Sequence, residues 1–174
     1  MGHQITAFVG RPETLHAIVG RFPAAKVVEL DAGFAMVPAT EALLDAIVAA
    51  DPAGEGLRET GLLFDDPVLV RALIEFSRSG PIALIETHYF GGDGEQAAAA
   101  CVGGRVVCSK QHSTETDPSG PLYENVNGRF VASKSGESWP INQALREIGV
   151  VRAGGQDEFD TVGLVVHRNM GRFE

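Results

Sequence analysis

Three short turn sequences, each placed between two apolar runs, constrain the fold of this chain more than any other feature. Gly103-Gly104 and Asn127-Gly128 are two-residue turns of the kind that joins antiparallel strands. Asp31-Ala32-Gly33 suits a three-residue hairpin loop, with Gly33 at its left-handed position. Because parallel strands need a much longer crossover, strands joined by such turns pair antiparallel. The sequence therefore predicts a mainly antiparallel sheet.

Helical periodicity between these strands predicts about four helices. Pro12, Pro67 and Pro140 each precede apolar residues that recur at three- and four-residue spacing, and Asp66 is suited to cap the helix that Pro67 begins. Thr40 is suited to cap a fourth helix, whose inner face would be Leu43, Leu44, Ile47 and Val48. Strands and helices are interspersed, and no linker divides the chain. We expect a single α+β domain over residues 1–174, with a mainly antiparallel sheet and about four helices packed on it.

Three other segments are assigned from their composition and spacing. The largely apolar run Thr161–Arg168 predicts a last strand, and the polar stretch Ser109–Pro121 predicts a long loop that is either mobile or functional. A hairpin at Gly103-Gly104 would place Cys101 and Cys108 diagonally on one face, about 7–8 Å apart by Cα. That separation is too large for an unstrained disulfide, so two reduced thiols are expected.

Length and composition exclude several classes of protein. A chain of 174 residues, 44% of them hydrophobic, is long enough to bury a core without disulfides or metal. Its longest strictly apolar runs are far shorter than the about 20 residues of a membrane-spanning helix. No signal-peptide pattern opens the chain. We expect a cytoplasmic monomer that has no cofactor and no membrane partner.

The net charge of −9 is concentrated in residues 29–66. This acidic segment has one base, Arg58, and nine acids: Glu29, Asp31, Glu41, Asp45, Asp51, Glu55, Glu59, Asp65 and Asp66. Such a segment repels nucleic acid, whose affinity for proteins depends on Lys and Arg, but it attracts a basic protein. Glu41, Asp45 and Glu55 are the predicted contacts to that partner. The alternative is an acidic surface that only keeps the protein in solution.

The residues from Glu86 to Gln96 form the most unusual polar stretch. Glu86 and His88 would share one strand face, where the carboxylate could orient the imidazole as a base, and Tyr89 follows them. Backbone N–H groups of Gly91–Gly94 could bind an anion. The alternative is an ordinary hairpin connection, because no group to orient the Glu86–His88 pair is evident.

Other polar groups have weaker patterns. His88, Cys101, Cys108 and His112 lack the paired spacing of zinc ligands, so no metal site is predicted. The acids of residues 157–160 have the pattern of a solvated loop rather than of a carboxylate site. The helix that follows Trp139 is predicted to expose three residues that could hydrogen-bond a partner: Asn142, Gln143 and Arg146.

Three motifs resemble those of a family of uncharacterised bacterial proteins. They are Tyr89-Phe90-Gly91-Gly92-Asp93-Gly94-Glu95-Gln96, Ile141-Asn142-Gln143-Ala144-Leu145-Arg146 and Asp157-Glu158-Phe159-Asp160. In the pattern of that family the first two are Y-F-G-G-x-G-E-Q and I-N-x-A-L-R. The opening Ala7-Phe8-Val9-Gly10 is also similar to theirs. The resemblance spans most of the chain, but no activity is attached to the family, so it implies no catalytic residue.

Two functions follow from these patterns. The first is a small acidic protein-binding module, such as an immunity-type inhibitor that blocks a basic partner. The second is a small enzyme or ligand-binding protein that uses Glu86, His88, Tyr89 and the loop Gly91–Gly94. An enzyme needs a concave pocket that contains Glu86 and His88, whereas a binding module needs an accessible acidic surface.

Overall fold

A six-stranded antiparallel sheet forms the centre of the protein. The computed structural model describes residues 3–59, 61–90, 93–114, 123–126, 129–132 and 139–167. The strand order in the sheet is β2-β3-β1-β4-β5-β6, and a separate hairpin pairs β7 with β8. The strands are β1 His3–Gly10, β2 Val28–Glu29, β3 Ala35–Pro38, β4 Ile82–Phe90, β5 Asp93–Val102, β6 Arg105–Ser113, β7 Tyr123–Val126 and β8 Arg129–Ala132.

Five helices lie along the described chain, and the last of them is a single turn. They are α1 Pro12–Arg21, α2 Glu41–Ala49, α3 Pro67–Phe76, α4 Pro140–Glu147 and α5 Glu158–Thr161. A proline begins α1, α3 and α4, as predicted, and the Asp66 carboxylate caps α3 by accepting a 2.9 Å hydrogen bond from the N–H of Val68. The α+β fold is therefore confirmed. None of the described helices is long and apolar enough to cross a membrane.

Both faces of the sheet are buried. On one side, which we call the first face, α1, α2 and α3 pack over residues such as Phe8 and Leu84. On the other side, the second face, α4 and the residues around α5 pack over residues such as Val9 and Ile85. In β5, four consecutive alanines at positions 97–100 alternate between the two cores.

A β-bulge separates the two cysteines. Val102 pairs with Arg105 and Cys101 with Val106, as predicted, but the register then shifts so that Cys108 pairs with Ala100. The prediction that both cysteines share a face is wrong, because the extra residue, Val107, reverses the alternation beyond it. Cys101 is buried in the first-face core and Cys108 in the second-face core, and both thiols are free.

The structure corrects two predicted segments, the last strand and the long polar loop. The predicted strand Thr161–Arg168 is wrong. Its first residue ends α5, Leu164–Val166 is a 3-10 helix, and Arg168 is outside the described residues. Asp157 caps α5 and Gly163 has a left-handed φ of 76°, so the backbone turns where an apolar run suggested extension. The predicted loop from Ser109 is strand as far as Ser113, and residues 115–121 lie outside the described chain.

Candidate functional site

Glu86 is a buried carboxylate in the middle of the sheet. It is 5% exposed, and its Oε2 accepts hydrogen bonds of 2.6 Å from the N–H of Leu63 and 2.7 Å from the N–H of Phe64. Burial raises the pKa of Glu86 to about 7, and the negative charges of Glu95 and Asp65 act in the same direction. Through its two hydrogen bonds to Leu63 and Phe64, Glu86 holds the loop before α3 against the first face.

His88 shares the first face with Glu86 but does not form a catalytic pair with it. Its cross-strand neighbours are Gln4 and Glu95, whereas those of Glu86 are Thr6 and Ala97. Among the described contacts of Glu86, the hydrogen bonds go to backbone amides and not to His88, whose side chain is exposed. The carboxylate therefore does not orient the imidazole as a base in this structure.

Tyr89, the third residue of the predicted site, lies on the opposite face from Glu86. The Nε2 of Gln96 lies 3.4 Å from the hydroxyl of Tyr89, and the Oε1 of Gln96 accepts a 3.4 Å hydrogen bond from the N–H of Ile141. Gly91 and Gly92 are outside the described residues. The sheet therefore separates Glu86 and His88 from Tyr89.

The three motifs of the resemblance meet on the second face. Gln96 of the first motif contacts Ile141 of the second, and Asn142 contacts the third. Asn142 Nδ2 donates to Asp157 Oδ2 at 3.0 Å, and Asn142 Oδ1 accepts from the N–H of Phe159 at 3.0 Å. The prediction that Asn142 is exposed is wrong, since it is 2% exposed and joins α4 to α5.

A buried carboxylate extends this network. Oε1 of Glu158 accepts 2.9 Å hydrogen bonds from Nε of both Arg146 and Arg152. Desolvation raises the pKa of Glu158, but the bonds from the two guanidinium groups outweigh it, so the pKa lies below its ordinary value. Arg146 is exposed, as predicted, although its Nε is engaged with Glu158, and Gln143 is half-buried. These contacts have a structural role, because they hold α4 against α5.

Ion pairs neutralise part of the acidic segment, and the sequence alone does not show which acids are paired. Arg71, from α3, binds Asp51 and Glu55, each at 2.8 Å. Within the segment, Arg58 lies 3.0 Å from Asp65. Glu55 is therefore partly neutralised.

The two acids on α2 keep their charge accessible to a partner. Glu41 and Asp45 are exposed, and neither forms an ion pair within the described part of the chain. They lie four positions apart, so helical geometry places them on one side of α2. Of the three predicted contacts to a basic partner, Glu41 and Asp45 thus remain accessible negative charges.

The candidate metal ligands do not come together. Cys101 is in the first-face core and Cys108 in the second-face core, while His88 lies on the first face. His112 stacks on Trp139 with ring centroids 6.5 Å apart. Across the residues that the structure describes, no three His, Cys, Asp or Glu side chains are arranged to hold a metal ion.

A cleft of about 220 Å³ opens between α1, α2 and α3. It lies away from Glu86 and His88, and its wall includes Phe22, Ile47 and Phe76. Sequence reasoning missed this cleft because its walls come from three helices that are separate in the chain. No protein family, curated protein or solved structure matches this chain.

Proposed function

We propose that this protein is a small acidic protein-binding module that recognises a basic protein, in the manner of an immunity-type inhibitor. The observation that supports the proposal is the acidic pair on α2: Glu41 and Asp45 are exposed, and no base pairs with them in the described residues. Accessible charges of one sign steer an oppositely charged partner and accelerate its association. The module is expected to act in the cytoplasm as a monomer.

The alternative, an enzyme or ligand-binding protein at Glu86, His88 and Tyr89, has less support. The Glu86 carboxylate is occupied by two backbone amides, and Tyr89 projects from the other side of the sheet. The raised pKa of Glu86 is the one property that favours this alternative, because such shifts are common in active sites. Its hydrogen bonds to the loop explain the carboxylate without a substrate.

The test compares three forms of the protein as baits in an extract of its source cells. They are the natural sequence, the variant Glu41→Gln/Asp45→Asn, and a control, Glu13→Gln/Glu147→Gln. The control removes two exposed acids from α1 and α4, so both variants change the net charge equally.

We expect one basic protein to be retained by the natural sequence and by the control, and to be lost from the α2 variant. With that protein purified, its association rate should fall as salt increases from 0.01 M to 0.15 M, where the Debye length shrinks from about 30 Å to about 8 Å. Equal retention by all three baits, or an association rate that ignores salt, would contradict the proposal.

A further inference from the structure

The cleft between α1, α2 and α3 has an apolar floor and a charged rim. Phe22, Ile47, Val68 and Phe76 form buried parts of its wall. Its volume of about 220 Å³ is below the about 300–1,000 Å³ of ordinary small-molecule pockets. The cleft is therefore better suited to one large side chain than to a drug-sized ligand.

Two ion pairs fix arginines at the rim of the cleft. Arg21 Nη1 lies 2.6 Å from Glu75 Oε2, and Arg71 Nη2 lies 2.8 Å from Asp51 Oδ2. All four residues line the cleft. A guanidinium group held in place in this way is a planar cation on which an aromatic ring stacks favourably, and Arg21 already makes such a contact, with its Cζ 5.2 Å from the centroid of the Phe22 ring. An apolar floor below such cations suits an aromatic side chain better than an aliphatic one.

The cleft also borders the helix that supports the proposed function. Ile47 and Ala50, at the end of α2, line it, and Ala50 is about 8 Å along the helix axis from the acidic Asp45. Helical geometry turns Ala50 about 140° around the axis from Asp45, so a partner must wrap around the end of α2 to touch the cleft and the acids, whereas the acids attract it from a distance whichever side it approaches. Such combinations of a buried aromatic anchor with surrounding charges are typical of binding hot spots.

We propose that the cleft receives one aromatic side chain of the basic partner, which anchors a complex that the acids of α2 steer. The proposal of an aromatic anchor rests on the proposed function, but it concerns a different interaction from the attraction by the acids. Steering by Glu41 and Asp45 acts over a distance and is screened by salt, whereas a ring in contact with the apolar wall and the rim of the cleft is affected far less. The two claims can therefore fail independently.

The anchor is tested with an uncharged probe, N-acetyltryptophanamide, added at millimolar concentration to the isotopically labelled protein. The methyl resonances of Ile47 and Val68 should shift with saturation. In Ala50→Phe, the introduced ring can fill the cleft, and binding should weaken about tenfold. The control is Ala49→Phe, which places the same ring on the neighbouring exposed position that does not line the cleft.

Two further forms separate the anchor from the acidic surface. Glu41→Gln/Asp45→Asn should bind the probe as the natural sequence does, because the probe carries no charge. Once the basic partner has been captured, Ala50→Phe should speed its dissociation and leave the salt dependence of association unchanged. Unchanged melting temperatures would show that the Ala50→Phe and Ala49→Phe variants are folded.

Three results would contradict the proposal of an aromatic anchor without contradicting the proposed function as an acidic protein-binding module. The first is the absence of shifts at Ile47 and Val68, and the second is equal binding of the probe by Ala50→Phe. The third is tighter binding of octanoate than of the probe, which would make the cleft a site for an anionic amphiphile. Arg78, a cation at the rim with no ion pair among the described residues, would then be its expected contact.

Discussion

Oε2 of Glu86 accepts a 2.7 Å hydrogen bond from the N–H of Phe64, and this contact ties the loop before α3 to the sheet. Burial raises the pKa of Glu86 from 4.5 to about 7, so the folded protein binds this proton more tightly than the unfolded chain does. The contribution of Glu86 to stability is therefore greatest below pH 4.5 and falls as the pH rises towards 7.

We predict that Glu86→Gln removes this part of the pH dependence. The natural sequence loses stability between pH 4.5 and pH 7 through Glu86, and the variant does not. The unfolding free energy of the variant minus that of the natural sequence should therefore rise by about 2–3 kcal/mol over this range, as measured by urea denaturation at each pH. The amide resonances of Leu63 and Phe64 should titrate near pH 7 and move to lower pH in Glu95→Gln. Titration of both amides near pH 4.5 would contradict the prediction.

The amide of Asn142 should matter far more to stability than that of its neighbour. Asn142→Ala leaves the N–H of Phe159 and the carboxylate of Asp157 without their buried partner, which costs about 1–3 kcal/mol of unfolding free energy. Gln143→Ala is the control and should change stability by less than about 0.5 kcal/mol. Thermal denaturation of both variants compares them. Equal effects would mean that the Asn142 contacts are not formed in solution.

Two glycines with positive φ should respond differently to alanine. At Gly94, whose φ is 155°, a Cβ would overlap the carbonyl oxygen of His88 and lie 2.7 Å from the Cα of Tyr89. At Gly103, whose φ is 58°, a Cβ would meet no atom within 4 Å. Gly103→Ala should cost about 1 kcal/mol of unfolding free energy and Gly94→Ala at least about 2 kcal/mol more. Similar losses in urea denaturation would show that β4 and β5 are less closely paired there.

Both thiols should be unreactive in the folded protein. Burial raises the pKa of Cys101 to about 11 and also raises that of Cys108, so little thiolate is present at pH 8. Ellman's reagent should label neither cysteine before unfolding and both afterwards, with Cys101→Ser and Cys108→Ser each reducing the final count by one. Under oxidising conditions no intramolecular disulfide should form, because the thiols belong to different cores. A disulfide detected by mass spectrometry would contradict the observed register.

Local signals in the sequence predicted much of the fold, and tertiary contacts account for what they missed. The Gly103-Gly104 turn and the Asp66–Pro67 cap depend on neighbouring residues only, and both are confirmed. The bulge at Val107 has no local signal, since valine is an ordinary strand residue. Likewise, the burial of Asn142 depends on α5, whose cap residue, Asp157, had the pattern of a solvated loop.

The candidate site was predicted less well for the same reason. Alternation along β4 placed Glu86 and His88 on one face, but it could not show that a distant loop covers the carboxylate. The alternation also implied that Tyr89 lies on the other face, although proximity in sequence had grouped it with Glu86. Charge counting located the acidic segment, whereas only the fold shows that Arg71 neutralises part of it.

The four alanines of β5 have a consequence for the order in which the chain folds. Alanine has little intrinsic preference for strands, so residues 97–100 gain their extended form from the neighbouring strands and from both helical layers. We expect β5 to acquire stable pairing only late, after β4 has joined β1. The amides of β5 should then become protected from hydrogen exchange after those of β1 during refolding, and the edge strand β6, whose only partner in the sheet is β5, should not join the sheet before it.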